Sequence, residues 1–252
     1  MSDITVPQRY SYGPDASQWA ELYLPRGPLV GVAVVIHGGY WRSAYSADLG
    51  APLARDLTAH GVAAWNLEYR RMGNGGGWPA TFLDIAAGID ALALAAAEHG
   101  LNLDTVAALG HSAGGQLAVW AAGRPLLPAG AVGADPAVEV TGVVSQSGLL
   151  NLGQAQAQGL SNHAVEMFLG PNVVLGDPLA AVPLPVPVFA VHALNDDAVP
   201  ASQSESYVAA AVAAGGTARL IRVPGDHFDL IDISSDAYAT CRELVLGVLR
   251  AA

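Results

Sequence analysis

Cysteine is nearly absent from this sequence: Cys241 stands alone among 252 residues, so no internal disulfide can staple the chain. It falls in an apolar helical pattern with no thiol chemistry around it and reads as core packing. Charge is also scarce, at 13% of residues, while 52% are hydrophobic, which is too apolar for a disordered chain. No uninterrupted apolar run approaches the roughly 20 residues of a bilayer span, and the opening "MSDITVPQRY" lacks the basic-then-apolar layout of a signal peptide. No membrane association and a cytoplasmic location are therefore expected. Basic residues are few, 11 against 22 acidic ones, for a net charge of −11. That balance disfavours nucleic acid and anionic lipid as partners. It leaves a small-molecule substrate open, because one local arginine can reverse the field inside a cleft.

What is present is a regular alternation. Val- and Ala-rich runs at 31–37, 62–69, 105–111, 138–148, 186–193 and 218–224 read as strands buried on both faces. Helical patterns fall between and after them, at about 46–60, 80–99, 113–122, 201–214 and 236–250. Strand alternating with helix predicts an α/β fold, a mostly parallel sheet with helices on both faces, in one domain over residues 1–252. The stretch "RYSYGPDASQWAELYLP" alternates apolar and polar residues, as an antiparallel edge strand or hairpin does. Residues 148–185, rich in Gly, Gln, Asn and Pro, are too long for an ordinary connection and predict a small lid-like insertion or binding loop.

The sharpest local signal is "ALGHSAGGQLAVWAA", where Gly110, Ser112 and Gly114 form G-x-S-x-G between a buried strand and an Ala-rich helix. A strand turning straight into a helix strains the serine backbone, tolerable only if residues two away lack a Cβ. The turn lifts the Ser112 hydroxyl above the sheet and points the first helical N–H groups at whatever it attacks. A serine nucleophile needs a histidine to take its proton and a carboxylate to orient that histidine. His227, in a "PGDHF" turn after the last strand, is the candidate base. Asp196 and Asp197, after the strand before it, are the candidate acids, with a helix-capping role the alternative for Asp197. Asp226 and Asp229 flank the base and read as turn caps. His60, His99 and His163 read as surface residues, and His111 and His192 as makers of structural hydrogen bonds.

Acyl transfer passes through an oxyanion that preorganised N–H donors stabilise. One donor is the Ala113 N–H. The others must come from the loop after the first buried strand, "HGGYW", where Gly38 and Gly39 let the backbone approach the substrate. His37 then braces the loop. A metal there is disfavoured, since no second ligand sits at suitable spacing, and no cofactor is expected.

With HGG, GHSAGG, Asp196 and His227 in place, the chain resembles the α/β-hydrolase superfamily over almost its full length. "HGGYW" resembles the HGGxW motif of the kynurenine formamidases, or arylformamidases, a branch near the hormone-sensitive-lipase-like esterases. "LEYRRMGNGGGWPATFLDIAAGIDAL" is similar to a Tyr-Arg…Phe-Pro-Ala…Asp stretch that both branches share. "HALNDDAVP" is similar to their acid loop, with Ala193 in place of the usual glycine, and this similarity selects Asp196 over Asp197. Only 36 residues precede His37, without the long N-terminal cap of the lipase-like branch, so large lipid substrates are disfavoured.

The resemblance implies hydrolysis of N-formyl-L-kynurenine or a related aryl formamide. Tyr40, Trp41 and Trp78 then offer an aromatic wall for the aryl group, although Trp41 can equally anchor its loop from beneath. Arg42, Arg70 and Arg71 are candidates to pair with a substrate carboxylate or to brace loops through Glu68 and Asp84. The rival readings are a general short-chain carboxylesterase with the same triad and a catalytically silent hydrolase-fold binding protein. A homodimer is left open.

Overall fold

The computed structural model describes residues 6–251; the start of the "MSDITVPQRY" stretch used above lies outside them. Eight strands form one sheet in the order β1-β2-β4-β3-β5-β6-β7-β8. Strands β1 (Gln8–Ser11) and β2 (Trp19–Tyr23) make the expected hairpin, and β2 runs antiparallel to β4 (Val62–Leu67). From β4 onward all pairings are parallel, through β3 (Gly31–Ile36), β5 (Val106–His111), β6 (Gly142–Gln146), β7 (Val188–Ala193) and β8 (Ala218–Val223).

The buried runs are continuous because both faces are covered, and the two-residue period of a strand sorts them. Val32, Val34 and Ile36 of β3, with Ala63, Trp65 and Leu67 of β4, enter the larger core. Their neighbours Ala33, Val35, Val62 and Ala64 enter the opposite one. The second core is closed by α1 (Ala51–Ala59) and by α9 (Asp236–Arg250), which carries Cys241. Burial pushes the Cys241 thiol up to about 12, in keeping with a packing role. The first core is closed by α2 (Ala80–Asp90), α4 (Ala113–Ala122) and α8 (Ser202–Ala213).

Two expectations are corrected. The helix expected over 80–99 is divided at Ala91 into α2 and α3 (Leu92–His99). That run, Ala80–His99, is also long and apolar enough to cross a membrane by length and composition, although Asp84, Asp90 and Glu98 interrupt it. It is here a core element, with Phe82, Ile85, Ile89 and Leu92 buried. The 148–185 insertion is helical rather than a loop, built from α5 (Leu152–Ala157), α6 (Leu160–Leu169) and α7 (Val173–Gly176). Its apolar residues Leu152, Ala155, Val165 and Phe168 fasten it to the larger core, which a Gly- and Gln-rich composition conceals.

Candidate active site

Parallel strands deliver their following loops to one edge of the sheet, and every candidate residue comes from such a loop. Ser112 stands between β5 and α4 with φ 54° and ψ −119°, a conformation that only surrounding structure can hold in place for a residue with a side chain. The flanking glycines make it possible. A Cβ on Gly110 would lie 2.2 Å from the Gly114 carbonyl oxygen, and one on Gly114 would lie 2.1 Å from that of Ile36. Ala113, the first residue of α4, has no intrahelical acceptor for its N–H.

His227 and Asp196 meet as expected. The His227 Nδ1–H donates to Asp196 Oδ2 over 2.7 Å, which leaves Nε2 as the ring nitrogen for proton exchange. Asp196 Oδ1 accepts the N–H groups of Ala198 and Val199 at 2.9 and 2.8 Å. Burial by itself would raise the Asp196 pKa. Hydrogen bonds from His227, Val199 and Ser147 outweigh it and hold the carboxyl at about 2, so Asp196 is an anion at neutral pH. Asp197 beside it is exposed to solvent.

Ser112 and His227 open onto one cavity of about 200 Å³, shared with Gly39, Tyr40, Arg42, Tyr45, Ser161 and Phe228. His111, beside Ser112, also lines it. Its Nε2 faces the His227 carbonyl at 2.9 Å and therefore carries the proton, tying the His227 loop to the Ser112 turn. Its Nδ1 is buried with no partner among the described residues. Burial, and after it the charge of His227, lower the His111 pKa to about 3, which keeps the ring neutral.

The glycine loop packs directly on the Ser112 turn. A Cβ on Gly38 would lie 2.7 Å from the His111 carbonyl oxygen and 3.0 Å from Ser112 Cβ, and Gly39 sits at φ 110°. His37 is buried, stacks on Tyr69 with centroids 4.4 Å apart, and donates from Nδ1 to the Gly38 carbonyl at 2.8 Å. Because C=O and N–H of a trans peptide point opposite ways, this tether turns the Gly39 N–H to the far side, where Gly39 lines the cavity. Two more groups hold the loop. Glu68 accepts from the Ala47 and Tyr69 N–H groups and pairs with Arg71, whose guanidinium also faces His37 Nε2 at 3.2 Å. Arg70 is held bidentate on Asp84, through Nε at 2.8 Å and Nη2 at 2.7 Å. Arg70 and Arg71 therefore brace loops, and of the three candidate arginines only Arg42 lines the cavity.

The aromatic wall is corrected. Trp41 is fully buried, stacked on Phe168 at 4.6 Å with its Nε1 donating to Gln116 at 3.0 Å, and it anchors the loop from beneath. Trp78 packs on Phe82 at 4.9 Å and is not among the cavity-lining residues. Tyr40 does line the cavity, its hydroxyl donating to the Ala198 carbonyl at 2.6 Å. The other aromatics facing the space are Tyr45 and Phe228. Tyr45 and Ser161 have no motif around them, and only folding brings the insertion's Ser161 to the cavity of Ser112. Among the described residues no group of three His, Cys, Asp or Glu is gathered to hold a metal.

Comparison with known proteins agrees with this architecture. No curated protein sequence matches the chain. Esterase B from Lactobacillus rhamnosis HN001 superposes with a TM-score of 0.84 at 21% identity, over 99% of this chain and 87% of that one. A truncated carbohydrate esterase from gut microbiota does so with 0.79 at 21% identity, over 98% and 97%. Thermogutta terrifontis esterase 2, phosphonylated by sarin, gives 0.78 at 21% identity, over 96% and 93%. The BD-FAE family profile matches residues 21–210, most of the chain, and the sheet order and loop placement are those of an α/β-hydrolase: the chain is an α/β-hydrolase that belongs to the BD-FAE family.

Proposed function

We propose that this hydrolase is a serine carboxylesterase that cleaves small acyl groups through Ser112, His227 and Asp196. The observation that carries the reading is Ser112, held at φ 54° beside His227 in one cavity while the far nitrogen of that histidine is occupied by an ionised Asp196. In the first step His227 Nε2 takes the Ser112 proton as Oγ bonds to the acyl carbon. The oxyanion is held by the N–H groups of Gly38, Gly39 and Ala113. His227 then gives its proton to the departing alcohol. Water, deprotonated by the same nitrogen, attacks the acyl-serine and releases the acid and free Ser112. A cavity of about 200 Å³ lies below the usual range for drug-sized ligands and suits short acyl chains. The structural neighbours, themselves esterases, point the same way.

A second reading, hydrolysis of an aryl formamide such as N-formyl-L-kynurenine, is favoured by the His37–Trp41 sequence HGGYW. Formyl is the smallest acyl group, and Tyr40, Tyr45 and Phe228 supply aromatic surface. The complete set of Ser112, His227 and Asp196 argues against a silent binding protein. The test is a panel of esters and aryl formamides of graded acyl size, with Ser112→Ala as control. That variant is expected to lose at least about 10³-fold in kcat with its fold intact, and retained turnover overturns the nucleophile. Acetyl or butyryl esters cleaved faster than formanilides select the esterase reading, and the reverse order selects the formamidase.

A further inference from the structure

Arginine is this protein's only fixed cation: the sequence has no lysine, and all 11 basic residues are arginines. Five of them are not exposed: Arg42, Arg70, Arg71, Arg124 and Arg242. Four of these five meet a carboxylate: Arg70 with Asp84 at 2.7 Å, Arg71 with Glu68, Arg124 with Asp90 at 2.7 Å and Arg242 with Asp56 at 3.3 Å. That is the usual condition for a guanidinium withdrawn from water. Arg42 is the exception. Its recorded hydrogen bond is from Nη2 to the Ser161 carbonyl, and among the described residues it has no ion-pair partner.

The position of this cation is what makes it informative. Arg42 is the one charged arginine, aspartate or glutamate among the residues that line the Ser112 cavity, where its companions are aromatic, apolar or small. It is fixed at both ends. Its backbone N–H donates to Gly39 and the Ser43 N–H behind it donates to Met72, while its guanidinium grips Ser161. Ser161, Asn162 and His163 all take left-handed dihedrals, an uncommon path for three successive residues with side chains. It directs a carbonyl to the guanidinium. The neutral carbonyl acceptor leaves the positive charge uncompensated and further N–H donors free to pair with an anion.

We infer that Arg42 is an anion-recognition residue that selects substrates carrying a carboxylate beside the bond Ser112 attacks. The inference rests on reading this cavity as the acyl-transfer site. The carboxylate can belong to either half of the substrate, the acyl chain, as in a half-ester of a dicarboxylic acid, or the leaving group, as in an acylated hydroxy- or amino-acid. The overall charge of −11 does not oppose this, because fields from exposed carboxylates fade within about 10 Å at 0.1 M salt while a contact pair inside the cavity persists.

The test begins without turnover. Calorimetric titration of the full chain with benzoate and acetate is compared with the neutral benzamide and acetamide, in the native protein, Arg42→Gln and Arg42→Lys. Both replacements keep an N–H for the Ser161 carbonyl. The acids are expected to bind more tightly than the amides, to lose about 10-fold or more in affinity in Arg42→Gln, and to recover most of it in Arg42→Lys. Acids that bind no better than amides, or a loss in Arg42→Gln that is equal for both, overturn the inference. Hydrolysis then locates the charge. For 4-nitrophenyl hydrogen succinate and 4-acetoxybenzoate, each against its neutral methyl ester, Arg42→Gln lowers the charged-to-neutral kcat/KM ratio through KM for the half that Arg42 reads. An unchanged ratio in both pairs overturns the inference. Because the titrations need no chemistry, an inert Ser112 would defeat the proposed function and leave this result readable.

Discussion

At Gly114 a single hydrogen atom separates the Ser112 turn from a collision. A methyl group there would meet two backbone oxygens, those of Ile36 and His37 at 2.1 and 2.5 Å, and backbone cannot swing aside as a side chain can. The turn and the glycine loop would have to separate, and Ala113 and Gly39 with them. Gly114→Ala is therefore expected to keep Ser112, His227 and Asp196 yet lose about 10² or more in kcat, the order of one oxyanion donor, and to melt at lower temperature. Steady-state kinetics beside a thermal melt checks it, and a fully active variant would show the loop to be pliant. Gly247 in α9 is the contrast, exposed with nothing within 4 Å of a Cβ. Gly247→Ala should stabilise by about 0.5–1 kcal/mol through helix propensity alone, measured by urea denaturation.

Between β3 and α1 the glycine loop behaves as one element whose stiffness is supplied from outside. Tyr40 and Trp41 are consecutive residues at φ 47° and 55°, and that strain is offset by the buried Trp41 ring, its Gln116 hydrogen bond and the Tyr40 bond to Ala198. Trp41→Ala should cost about 3–5 kcal/mol in urea denaturation and reduce kcat. Trp41→Phe keeps the stack on Phe168 but leaves Gln116 Oε1 without its donor, at about 1–3 kcal/mol. A Trp41→Phe protein with unchanged stability and a raised KM would return Trp41 to the substrate. This element also shows where sequence reading stops. Periodicity located the strands of the sheet, the central ones because burial on two faces leaves long apolar runs and the β1–β2 hairpin because one covered face leaves an alternation. G-x-S-x-G and HGG announced themselves because backbone approach demands glycine at fixed spacing. Which way Trp41 faces depends on two left-handed dihedrals that composition does not encode, and Trp78 belongs to a core contact with Phe82. Ser161 reaches the cavity only through the folding of an insertion whose helices the Gly- and Gln-rich sequence obscured.

For the whole molecule, acid stability depends on groups whose folded and unfolded proton affinities differ, and here two such windows are separated. His111 titrates near its ordinary 6.5 when unfolded but only near about 3 when folded, chiefly because burial disfavours its charged form. Below pH 6.5 the unfolded chain thus binds a proton that the folded chain refuses, and stability falls as pH falls, by up to about 1.4 kcal/mol per unit. His192, buried with Nδ1 on Ser204 and Nε2 on the Val199 carbonyl, is shifted in the same direction and adds to the slope. Asp196 works in another window. Its carboxyl is lowered from 3.8 to about 2, so its contribution is fully present above about pH 4 and is lost only as pH falls toward 2. Between pH 6.5 and about 4.5 the decline belongs to the histidines; buried Glu68, whose carboxyl is lowered from 4.5, adds its own loss below that. Urea denaturation of the native protein at graded pH should show falling stability across that interval. His111→Asn should start lower, having lost the tie to the His227 carbonyl, but decline less steeply, and His111→Asn with His192→Asn less steeply again. Asp196→Asn should leave this slope in place and flatten only the region below pH 4. Parallel curves for native protein and His111→Asn would mean that the buried ring accepts its proton without opening the fold, and that the link from His111 to the base is not sealed from water.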